Sequence, residues 1–97
     1  MPDAVHELLA TEIALAKLGA RDISAEEVAQ LPRNRYVTLR NPHGGGEPGT
    51  RRFLIGRTGG GRVLTLVIER TLDPTTWLII TGWSATDRER ILLERMR

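Results

Sequence analysis

From Arg51 to Glu69 the chain alternates in two runs, RRFLIGR and RVLTLVIE, parted by Thr58, Gly59, Gly60 and Gly61. A period of two puts successive side chains on opposite faces of a strand, and a threonine followed by three glycines supplies a reversal with little side chain to accommodate. The segment predicts a β-hairpin with strands over 51–57 and 62–69. On the second strand Leu64, Leu66 and Ile68 share one face while Val63, Thr65 and Val67 share the other. A strand apolar on both faces belongs inside a sheet, so further strands and a cover are expected.

Residues 36–40 (YVTLR) predict an edge strand with Val37 and Leu39 on one side and Tyr36, Thr38 and Arg40 on the other. Residues 76–81 (TWLIIT) predict another internal strand, opened by the Asp73-Pro74 turn and broken by Gly82. Before the strands the period is helical. Val5, Leu8, Leu9, Ile13 and Ala16 recur along 3–18, with His6, Glu7, Ala10, Ala14 and Lys17 on the opposite side, Asp3 as N-cap and Gly19 as stop. Ser24 three residues ahead of Glu27 makes a capping box for a second helix over about 24–31, with Val28 and Leu31 as its apolar edge, and Pro32 ends it. Ser84 or Thr86 caps a last helix to about Met96, with Asp87/Arg90 and Arg90/Glu94 paired on the wet side and Leu92 and Met96 packed inward. Residues 41–50 (NPHGGGEPGT) predict a loop.

The expected architecture is a single α+β domain over residues 1–97. It has two N-terminal helices, a four-stranded meandering antiparallel sheet with its helices against one face, and a C-terminal helix. With 97 residues there is room for one core. The absence of cysteine excludes a disulfide framework, a thiol nucleophile and a cysteine-ligated zinc site. No apolar run reaches the ~20 residues that cross a bilayer, and MPDAVHELLA lacks the basic start of a signal peptide. The expectation is a cytoplasmic protein without a membrane partner.

Charge is distributed unevenly. Residues 1–32 carry two basic side chains against six acidic ones, whereas residues 33–70 carry eight arginines against two acids. Of the 14 basic residues 13 are arginine, whose planar fork matches phosphate and carboxylate in two-point geometry. Arg57 and Arg62 flank the hairpin turn, where they repel unless an anion or a carboxylate lies between them. His6 and His43 fall in different elements with no second ligand nearby, so no metal site is expected. Ser24 and Ser84 are explained as caps, and neither triple glycine is followed by the helix, lysine and hydroxyl of a phosphate loop. Trp83, at a strand-to-helix junction, either plugs the gap between sheet and helix or stacks on a base.

RRFLIGRTGGGRVLTLVIE, followed by LIITGWSATDRER, resembles the BrnT family of small bacterial toxins. The family signature is R-x-x-x-I-G-x-T-x-x-G-R-x-L, then I-I-S-A-R-x-A-T-x-x-E-R. Arg52, Ile55, Gly56, Thr58, Gly61, Arg62 and Leu64 match the first part; Ile79, Ile80, Ala85, Thr86, Glu89 and Arg90 match the second. Upstream, ISAEEVAQL is similar to the I-S-x-E-E-A segment that begins the family's second helix. The resemblance implies a RelE-like fold, metal-independent ribonuclease activity that inhibits translation without a cofactor, and neutralisation by a cognate antitoxin protein. On that basis Arg52, Arg62 and Arg88 hold phosphate, while Glu69, Tyr36 or His43 moves the proton. RNA contacts fall to Arg51, Arg57, Tyr36, His43 and Trp83. The sequence departs from the family in two places. HELLATEIALAKLGARDIS replaces its opening strand and helix, W-D-x-x-K with K-H-G-V, and Trp83 stands where it has the arginine of S-A-R. Two readings remain: a toxin ribonuclease, or a catalytically silent RelE-like module that binds protein or RNA, with the acidic first helix as one surface.

Overall fold

The computed structural model describes residues 4–40 and 50–95. The chain runs β1 (Glu7–Ala10), α1 (Glu12–Gly19), α2 (Ala25–Gln30), a 3-10 turn (Leu31–Arg33), β2 (Tyr36–Arg40), β3 (Arg51–Arg57), β4 (Val63–Arg70), β5 (Thr76–Ser84) and α3 (Asp87–Arg95). It is an α+β fold whose five strands lie in the order β1-β5-β4-β3-β2. The last four are antiparallel neighbours, whereas β1 runs parallel to β5 with Glu7 opposite Thr76 and Ala10 opposite Ile79. The sheet is therefore mixed and five-stranded rather than a four-stranded meander.

The hairpin forms as its residues dictate. Thr58 N–H donates to the Arg62 carbonyl at 2.8 Å, the buried Thr58 hydroxyl accepts from Arg62 N–H at 3.1 Å, and Gly61 takes a φ of +90° that favours glycine. Gln30 ties the end of α2 to this turn by accepting from Gly59 N–H at 2.7 Å. The Ser24–Glu27 capping box closes in both directions at 3.1 Å. Thr86 caps α3 in the same reciprocal way with Glu89, which decides between the two candidate caps.

Four further expectations are corrected. The first helix does not begin at residue 3: residues 7–10 are a strand, and α1 starts after Thr11, whose hydroxyl accepts from Ala14 N–H. The phase changes with it, so Ala14 and Leu18 are buried while Ile13 is 72% exposed. A four-residue apolar run reads equally as helix or strand, and the pairing with β5, about 70 residues later, settles it. The Asp3 cap lies outside the described residues. Gly82 does not break the last strand; β5 continues to Ser84. A Cβ at Gly82 would stand 2.5 Å from Leu66 Cδ2 and 3.0 Å from Leu18 Cδ2, so glycine admits the close approach of α1. In α3 the buried residue is Leu93, not Leu92, and among the described residues Asp87, Arg90 and Glu94 form no ion pair. Met96 and the 41–49 part of the expected loop lie outside the described residues.

The fourth correction concerns the layers. α1, α2 and the turns that follow them pack on the first face through Leu18, Ile23, Val28 and Leu31 against Leu54, Leu64, Leu66, Ile68, Trp77 and Ile79. α3 covers the second face at one end, where Leu93 and Ala85 meet Val37, Ile55 and Val63. Helices thus flank both faces. Each of the fully buried leucines contributes about 1.5–3 kcal/mol of transfer free energy, which places the weight of the fold in the first layer.

Candidate binding surface

Adjacent residues in a strand point to opposite faces, and this divides the arginines at the start of β3. Arg51 lies on the second face opposite Glu69, and its Nε donates to Glu69 Oε1 at 3.1 Å. Arg52 lies on the first face between Arg40 and Ile68, is 9% exposed and donates from Nη1 to the Arg51 carbonyl at 2.9 Å. Glu69 is thus the partner of Arg51 and faces away from Arg52.

Arg62 sits at the other end of the sheet and is committed to the scaffold. Its Nη1 donates to the Asp22 carbonyl at 2.6 Å and to both Glu27 carboxylate oxygens at 3.2 Å, while Nη2 donates to Ser84 Oγ at 2.8 Å. Asp22 adopts a left-handed φ of +60°, which aspartate tolerates better than most residues. The carboxylate that the Arg57/Arg62 arrangement calls for is therefore Glu27, bound to Arg62; the Arg57 side chain is exposed. The Ser24 backbone N–H, together with Arg62, holds the Glu27 carboxyl below its ordinary pKa. Similarly, the backbone N–H of Thr75 lowers the pKa of Asp73 in the turn before β5.

These placements do not form one site. Arg62 and Glu69 are seven residues apart, about 23 Å along an extended strand. Arg52, level with Ile68, is about 20 Å from Arg62 by the same measure. Tyr36 hydroxyl accepts from Val5 N–H at 3.0 Å, and Arg88 lies exposed on α3. His43 lies outside the described residues. Among those described, no group of three His, Cys, Asp or Glu side chains is placed to hold a metal ion. No described helix is long and apolar enough to cross a membrane.

What the fold does gather is an apolar surface. Leu39, Phe53, Val67, Leu78 and Trp83 share the second face, with Trp83 and Leu39 bordering the end that α3 covers, Phe53 and Leu78 half-buried past it, and Val67 buried among them. Phe53 and Trp83 meet edge to face, with centroids 6.2 Å apart and planes at 68°. Trp83 Nε1 donates to Glu89 at 3.1 Å, so this tryptophan joins sheet to helix. The Arg51–Glu69 pair neutralises itself at the margin. Sequence reasoning did not single out this face, although it carried a signal. Two central strands apolar on both sides require two covers, and one nine-residue helix cannot span five strands.

No protein-family model matches the chain, and no curated protein does.

Proposed function

We propose that this chain is a catalytically silent, RelE-like protein-binding module, the partner of a second protein in an arrangement of the toxin–antitoxin kind. The observation that carries the reading is the separation of Arg52, Arg62 and Glu69 over two faces and two ends of the sheet. In-line cleavage of RNA needs phosphate-binding and proton-transfer groups within hydrogen-bond reach of one another. The resemblance in residues 51–95 supports a RelE-like relationship. So does the order strand, then helix, at the N-terminus, where that family also opens with a strand and a helix.

Protein is favoured over RNA because the open face is apolar and its margin carries a self-neutralised ion pair. RNA binding draws its affinity from uncompensated basic side chains and freely presented aromatic faces. Here Phe53 and Trp83 pack against each other.

Two measurements test this. Folded protein incubated with total RNA in chelator, with and without ribosomes, should leave the RNA intact; cleavage that disappears in Arg52→Ala restores the ribonuclease reading. Co-expression with the product of a neighbouring short reading frame should yield a complex of fixed stoichiometry that is lost in Phe53→Asp. A monomeric elution of both proteins overturns the proposal.

A further inference from the structure

Strand β5 is nine residues long, yet β1 pairs with it only over Thr76 to Ile79. Beyond that point β4 lies on one side of β5, and no described strand lies on the other. Ala85 N–H donates to the Val63 carbonyl, so odd-numbered residues here bond inward to β4, and Gly82 and Ser84 turn their N–H and C=O groups outward. Arg21 confirms this phase: its Nη1 donates to the Gly82 carbonyl at 2.8 Å and to Thr81 Oγ1 at 3.1 Å.

Beside this edge is an open cleft of about 370 Å³ lined by Lys17, Ala20, Arg21 and Thr81. Residues 1–32 contain just two basic side chains, and both line it. Lys17 and Arg21 stand four residues apart where α1 ends. Lys17 forms no ion pair among the described residues, and the Nε and Nη2 donors of Arg21 are unused among them. Two like charges at this spacing repel, and an anion between them removes the cost. The six acidic side chains in the same stretch disfavour a polyanion, whereas one carboxylate fits.

We propose that the free edge of β5, residues 80–84, receives an extended segment of a partner protein as an added strand, with one carboxylate of that segment held between Lys17 and Arg21. An N–H of the incoming strand takes over the Gly82 carbonyl, and the released guanidinium turns its fork to the carboxylate. Without the partner, Arg21 caps the edge and protects it from indiscriminate strand pairing. The inference rests on the partner-binding reading and adds where, and by what chemistry, the partner docks.

The probe is a capped six-residue peptide of alternating valine and threonine with one central glutamate, compared with its glutamine twin and a short single-stranded RNA. With the full chain, the glutamate peptide should protect the Gly82 and Ser84 amides from hydrogen exchange. Its affinity should fall about tenfold for the glutamine twin and for Lys17→Glu, the effect of losing one charge-assisted contact. Lys17 is exposed, so this variant keeps the fold. Unprotected Gly82 and Ser84 amides at saturating peptide, equal affinity for the two peptides, or RNA acting where the peptides do not would each overturn the inference. If the co-expressed complex forms, is lost in Phe53→Asp and is indifferent to Lys17→Glu, this docking site fails while the partner-binding reading stands. If no complex forms, the reading itself fails.

Discussion

Arg62 holds both carboxylate oxygens of Glu27 at 3.2 Å, and through this contact the helical layer is fastened to the hairpin end of the sheet. The same guanidinium reaches the Asp22 carbonyl and the Ser84 hydroxyl. Arg62→Ala should therefore lower unfolding free energy by about 1–2 kcal/mol, a figure held down by the partial exposure of the pair. Urea denaturation checks it. Arg62→Lys should recover little, because an ammonium cannot reproduce the fork.

The acid limb of stability should depend on Glu27. Its folded pKa lies below its ordinary value, so its contribution is fully present above that ordinary value and is lost as pH falls through the lowered one. In Glu27→Gln, denaturation curves should show a smaller loss of stability than the parent on the acid side of about pH 4.5. An unchanged acid limb would show that the clamp contributes nothing through this ionisation.

Thr65 lies fully buried on the second face between Ile55 and Trp83, and its hydroxyl has no hydrogen-bond partner among the described residues. Burying an unsatisfied hydroxyl costs about 1–3 kcal/mol, so Thr65→Val should stabilise the protein by about 1 kcal/mol. A raised melting temperature in calorimetry is the expected result.

Gly82→Ala should cost about 1–3 kcal/mol through overpacking against Leu18 and Leu66. Gly19→Ala is the natural control, since a Cβ there meets nothing within 4 Å. Parallel denaturation of the two variants should separate them clearly.

Trp83→Arg introduces the arginine that stands at the matching place of the BrnT signature that residues 51–95 resemble. The variant should still leave RNA intact on a denaturing gel, because Arg52 lies on the other face and Arg62 is held by Glu27. Gain of chelator-resistant cleavage would mean that one guanidinium on the second face suffices.

Local chemistry was legible wherever it is decided by neighbours in sequence. The Ser24–Glu27 box, the Thr58–Gly61 reversal, the inner position of β4 and β5 and the edge position of β2 all follow from spacing that short-range hydrogen bonds and alternating burial enforce. The sequence likewise located the Arg57/Arg62 tension and the need for an anion or a carboxylate to relieve it. It did not reveal that the carboxylate is Glu27, 35 residues upstream.

Tertiary structure alone decided the rest. Residues 7–10 become a strand because β5 offers them a parallel partner and burial for Leu8, an energy no local propensity records. Gly82 lies inside a strand because α1 crosses above it. The arginines that adjoin in sequence part to opposite faces or opposite ends, since a strand inverts every successive side chain and extends about 3.3 Å per residue. Sequence thus determined which residues alternate, cap and turn; the meeting of segments far apart in the chain determined which charges are scaffold, which face stays open and which part of β5 no described strand covers.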